Sequence, residues 1–169
     1  MFKFLRNVRL HRPAGKHQRY TRPHWEGHGS STDGGTISQA TRVRLTAAFN
    51  QQISVPVILR YSSTDPLAVH VDFPALVSSD GTDMTWSFDR GLLANGLCRP
   101  TGIGDVRIWP SGRVYTIIEF RSSEGRAFAK FDTAALIRFL LRSYVLVEHG
   151  KEDMGPAIEG GLATLLDEV

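Results

Sequence analysis

The chain has 169 residues, 41% of them hydrophobic and 22% charged, which is the composition of a soluble globular domain with room for a sizeable core. No apolar run approaches the roughly 20 residues that a membrane-spanning helix needs, and the single cysteine, Cys98, excludes an internal disulfide and an all-cysteine metal site. The net charge of +3 is unevenly spread: residues 1–40 set seven bases, Lys3, Arg6, Arg9, Arg12, Lys16, Arg19 and Arg22, against Glu26 and Asp33, so the remainder is faintly acidic.

Residues 1–40 mix arginine, histidine, proline, glycine and serine without apolar periodicity and read as a basic, disordered tail. Its cations Arg6, Arg9, Arg12, Lys16, Arg19 and Arg22 are candidates for electrostatic contact with an anionic membrane or an acidic protein. The opening residues lack the apolar stretch and small-residue cleavage site of a secretory signal, so a cytoplasmic location is expected. His11, His17, His24 and His28 match no tight zinc spacing, and no metal or other cofactor is expected.

The folded domain is assigned to residues 41–169. Arg42–Phe49, Val55–Tyr61 and Val69–Phe73 are strand candidates, with Pro56 near the start of the second and His70 and Asp72 pointing away from the core in the third. Trp86 and Phe88 mark a fourth strand. Asp89 then caps a short helix with Leu92 and Leu93 on its apolar side and Gly96 ending it. The loop Arg99–Asp105 follows, with Pro100 fixing one φ and Gly102 and Gly104 permitting positive φ. Val106 and Ile108 face one side of the next strand, and Arg107 and Trp109 the other. Val114–Phe120 and Ala127–Phe131 pair as a hairpin. Asp132 or Thr133 then caps a helix in which Leu136, Phe139, Leu140 and Tyr144 form an apolar face flanked by Ile137 and Leu141. A last amphipathic helix is predicted over Ile158–Leu166. Strands in succession and then helices predict an α+β fold with antiparallel sheets, because nothing alternates to build parallel crossovers.

Several sharper readings fail on context. Gly102-Ile103-Gly104-Asp105 precedes a strand, not a helix, so it is a turn and not a phosphate cradle. His70 near Asp72 and Asp65 suggests a general base for Cys98, but strand alternation places nothing beside Cys98, which reads as a small buried hydrophobe. Trp86, Tyr61 and Phe120 are explained by core packing. Trp109, on the face opposite Val106 and Ile108, is instead a surface candidate beside Arg107. Arg90, Asp105, Arg107 and Trp109 are the predicted protein-contact residues, with Asp105 and Arg107 pairing Arg90 or Asp89 to pin the loop.

Three stretches in order, YSSTDPLAVH over 61–70, WSFDRGLL over 86–93 and PTGIGDVRIWP over 100–110, resemble the SsgA-like sporulation and cell-division regulators of filamentous bacteria. The resemblance covers roughly residues 41–169. It implies a whirly-like fold of two packed antiparallel sheets plus helices, a homo-oligomer such as a trimer, and a non-enzymatic role in septum placement. It also implies partners in the tubulin-like division protein FtsZ or another SsgA-like protein, at division septa. The alternative is a single-stranded nucleic-acid binder of whirly type, against which the acidic body weighs. Two departures bear on partner choice: Glu148-His149 stand where the family commonly has proline, and the acid of F-A-R-D-L has moved in front of the arginine, as Asp89.

Overall fold

The computed structural model describes residues 35–46, 52–78, 81–123 and 125–152. The tail bases, the four tail histidines and the predicted Ile158–Leu166 helix lie outside the described residues.

Among the described residues, seven strands and two α-helices follow in chain order: β1 (Thr36–Thr46), β2 (Gln52–Ser62), β3 (Asp65–Phe73), β4 (Met84–Asp89), α1 (Arg90–Gly96), β5 (Val106–Ser111), β6 (Tyr115–Ser122), β7 (Gly125–Asp132) and α2 (Thr133–Leu146). The sheet order is β4-β3-β2-β1-β7-β6-β5, and every pairing is antiparallel. The α+β class predicted from the strands-then-helices order is therefore the observed one. Its two halves, β1–β4 and β5–β7, belong to one curled sheet. Among the described residues they join where Arg44, Leu45 and Thr46 of β1 meet Lys130, Ala129 and Phe128 of β7.

The first strand begins at Thr36, so residues 36–40, which the sequence reading left in the tail, pair with Ile58–Ser62. Thr36, Ser38 and Ala40 carry too little apolar character to announce a strand; the partner strand recruits them through backbone bonding.

Alternation decides the two faces. Val43, Leu45, Val55, Val57, Leu59, Tyr61, Val69, Val71, Phe73, Ile108, Ile118, Phe120 and Phe131 are buried on the inner face. The curl brings strands distant in the sheet together across this interior: the Phe120 ring lies 5.4 Å from Phe73 and 5.1 Å from Trp86, centroid to centroid. Such rings bury large areas and add edge contacts of about 0.5–1.5 kcal/mol.

Both helices start on the predicted caps. Asp89 accepts from Leu92 N at 2.8 Å and Asp132 from Ala135 N at 3.1 Å, each satisfying an orphan amide of the first turn. The displaced acid of the 88–92 segment thus serves as the N-cap of α1. Gly96 is the last residue of α1, as expected, but not through left-handed geometry, since it is absent from the positive-φ residues. A Cβ there would lie 2.4 Å from Ile108 Cβ, so glycine lets α1 press onto β5.

Candidate functional site: the loop at the β5 edge

The Arg99–Asp105 loop folds back along the open edge of β5. Thr101 N donates to Ile108 O and Ile108 N donates to Thr101 O, both at 2.9 Å, and Arg121 N donates to Asp105 O at 2.7 Å. Pro110 removes a further donor from the same strand. An edge that could template pairing with another strand is thereby blunted, and the loop is held by backbone bonds. Gly102 makes the fold-back feasible: its φ is +105°, and a Cβ would meet Val106 O at 2.4 Å. Gly104 does not use the positive φ that glycine permits, and open space surrounds it.

The loop and the outer face of β5 and β6 enclose an open concavity of about 570 Å³, lined by Arg99, Ile103, Arg107, Trp109 and Glu119 among others. Ile103 is 98% exposed at its rim. Trp109 is half-buried, its ring edge against Phe128 at 6.3 Å. Glu119 is buried opposite Arg107 in the strand register and is balanced by Arg121 Nε at 2.9 Å and Arg126 at 3.8 Å. Arg107 Nε is buried with no hydrogen-bond partner among the described residues. A buried donor without an acceptor costs about 1–3 kcal/mol, so the site is chemically suited to a ligand that brings a carbonyl or carboxylate oxygen beside an apolar group.

Of the four predicted contact residues, Arg107 and Trp109 line this concavity and Asp105 is exposed on its loop. Arg90 must be removed from the surface: it is 2% exposed. Its guanidinium sits between the rings of Tyr61 and Tyr144, 4.8 and 4.7 Å from their centroids, and donates to Ser143 O at 3.1 Å, Val147 O at 2.7 Å and the Glu152 carboxylate. The predicted pairing of Arg90 or Asp89 with Asp105 and Arg107 is accordingly not formed; backbone bonds pin the loop instead. Ile103 and Arg99 went unassigned in the sequence, where an isoleucine isolated between two glycines was the available signal.

One other expectation changes. Cys98 is exposed just past α1, not buried. His70 Nδ1 is 2.7 Å from Ser87 Oγ and its Nε2 is 3.4 Å from Asp65 Oδ2, while Asp72 bonds Arg60 and Thr85. These contacts tie strands together across the outer face of β2–β4, and Cys98 is not among them.

The Arg60 hydrogen bonds hold the Asp72 carboxyl below the usual carboxylate range, with partial burial opposing them and Thr85 assisting. Since the folded value is the lower one, the stabilisation is complete above the unfolded value of about 3.9 and disappears as pH falls through the folded value. Urea midpoints of the wild type and Asp72→Asn should therefore differ at about pH 6 and converge in strong acid. A gap that persists below both pKa values would mean that the pair contributes little.

Comparison with known proteins places these features in context. The family model described as "Streptomyces sporulation and cell division protein, SsgA" matches residues 55–152. The sporulation-specific cell division protein SsgB of Salinispora tropica is 41% identical over 120 residues, covering 69% of this chain and 83% of that protein. The protein of the same name from Streptomyces coelicolor is 38% identical over 138 residues, covering 79% and 97%. A solved structure reported as "Mutations in SsgB correlate to longitudinal cell division during sporulation of Streptomyces coelicolor" superposes with a TM-score of 0.63 at 38% identity over 73% of this chain and 97% of that one. The SsgA-like sporulation-specific cell division protein of Thermobifida fusca gives 0.66 at 33% identity over 80% and 98%.

Proposed function

The chain belongs to the SsgA family of sporulation and cell-division proteins, and from that premise we propose that it is a non-enzymatic regulator of sporulation-specific division. It acts at septa by recruiting or localising the FtsZ machinery, directly or through another SsgA-like protein, and it works as a homo-oligomer. The observation that carries this reading is the concavity at the β5 edge. There an exposed isoleucine and a half-buried tryptophan stand beside a buried arginine donor that lacks an acceptor among the described residues. Large aromatic and arginine side chains in one partly desolvated site are the usual energetic centre of a protein contact. The residues assigned to binding are Arg107 and Trp109, with Asp105 and Ile103 on the loop. The bases Arg6, Arg9, Arg12, Lys16, Arg19 and Arg22, ahead of β1, add electrostatic attraction to an acidic partner or an anionic membrane. Among the described residues, no helix is long and apolar enough to cross a membrane.

Trp109→Ala should leave the circular dichroism spectrum and the unfolding midpoint close to wild type, because the indole is only partly enclosed. Capture of the purified division protein should fall at least about tenfold, the loss expected of a centrally placed tryptophan. Undiminished capture by a folded variant would remove the concavity from the mechanism. A titration with labelled single-stranded oligonucleotide at physiological salt separates the alternative reading. Affinity tighter than about 1 μM, beyond the usual nonspecific range of about 1–100 μM, would favour it.

A further inference from the structure

The β5 edge is closed to one common mode of recognition. Thr101 already takes both backbone bonds of Ile108, and Pro110 has no donor to offer, so a partner cannot add there as a further strand. Whatever enters the concavity is read by side chains.

The charges in its wall select the ligand. Glu119 is committed to Arg121 and Arg126. Among the described residues no acid pairs with Arg99 or Arg107, so these two lining cations are in excess within a faintly acidic body. The buried Arg107 Nε donor, without an acceptor among the described residues, is best met by an anionic oxygen, which makes a shorter and stronger hydrogen bond than a neutral carbonyl does. Glu119 in the same wall repels a phosphate, with its charge near −2, more than it repels a carboxylate. The concavity is open, so a chain bearing the carboxylate as a side chain can continue past it.

Spacing supplies the second element. Arg107 and Trp109 stand two residues apart on one face of β5, about 7 Å at the strand rise. An extended segment lying along β5 repeats that interval between its own alternate side chains. A carboxylate at Arg107 therefore brings the side chain two residues away to Trp109, beside the exposed Ile103. The Trp109 ring already rests edge-on against Phe128, so little ordering is required of it on binding.

We infer that the β5-edge concavity binds an extended acidic segment of a partner protein, in which a carboxylate side chain and a large apolar side chain are two residues apart. The carboxylate accepts from Arg107 Nε, and the apolar side chain packs on Trp109 and Ile103. This inference rests on the reading of the concavity as a partner site. The experiment contains no division protein, so its failure is separate from that of the Trp109→Ala capture assay.

The probe is the doubly blocked peptide acetyl-Leu-Ser-Glu-Ser-Leu-amide, which offers the spacing in either chain direction, titrated into the full chain while the arginine Hε–Nε signals are followed. The Arg107 signal is expected to shift and saturate. The glutamine counterpart should bind at least about tenfold weaker, and so should acetyl-Ser-Leu-Glu-Leu-Ser-amide, which has the same composition with the spacing reduced to one. In Arg107→Gln, with its fold checked by circular dichroism, the glutamate and glutamine peptides should bind alike; if that variant unfolds, the wild-type titrations decide. An Arg107 signal unmoved at about 10 mM peptide, beyond the millimolar range, would overturn the inference, as would equal affinity for the glutamine peptide or for the spacing isomer. Tighter binding with phosphoserine in place of glutamate would also overturn it, assigning the site to a phosphorylated segment.

Discussion

Replacing Arg90 with alanine is expected to produce a large fall in the urea midpoint of unfolding, because the buried guanidinium fills its slot and its loss leaves the carbonyls of Ser143 and Val147 without their donor. The substitution strips the donor from two α2 carbonyls and from Glu152, and it empties the space between Tyr61 and Tyr144. It also frees the segment Val147–Glu152, which this side chain ties to β2 and α2. Arg90→Lys should fall between wild type and alanine: the charge returns, but a single ammonium cannot fill a planar slot between two rings while serving three acceptors. An alanine variant within about 0.5 kcal/mol of wild type, the range of surface substitutions, would show that the buried guanidinium contributes nothing net. The Glu152 carboxyl is held below its usual range, first by the Arg90 hydrogen bond. Its contribution is therefore present at neutral pH and is lost in acid, in the same direction as that of Asp72.

Gly102→Ala is the second large effect, and a neighbour controls it. At φ +105° an alanine is strained by about 1–3 kcal/mol. Its Cβ would stand 2.4 Å from Val106 O and 3.1 Å from Arg107 Cα, backbone atoms that cannot step aside as a flexible side chain would. The loop must lift off the β5 edge, breaking the paired bonds between Thr101 and Ile108 and moving Ile103 away from Trp109. Faster amide exchange at Ile108, a lower unfolding midpoint and loss of partner capture are the expected results together. Gly104→Ala, two residues on in open space and without a positive φ, should change none of these beyond about 0.5 kcal/mol. Equal behaviour of the two variants would mean that the loop conformation is not set by Gly102.

The difference between these two glycines shows where sequence reasoning stops. Both belong to a turn by composition, and both permit positive φ, yet only the close approach of β5 demands it, and only at Gly102. Gly96 makes the same point from the other side: in the sequence it reads as a helix end, whereas Ile108, twelve positions later, is what forbids a side chain there.

Local order determined much of this protein in advance. Period-two alternation located the seven strands and sorted Val106 and Ile108 from Arg107 and Trp109. Asp89 and Asp132 marked both described helix starts, because a cap acts through atoms three residues away. Tertiary structure alone decided three things: that the strands join into one curled sheet through the last residues of β1, that an exposed-looking arginine is the most buried charge, and that Ile137, Leu141 and Val145 stay uncovered by the described fold. The reason is range. The hydrogen-bond partners of Arg90 lie 53 to 62 positions away along the chain, and a pattern that reports which side of an element is apolar carries no information about which element will meet it.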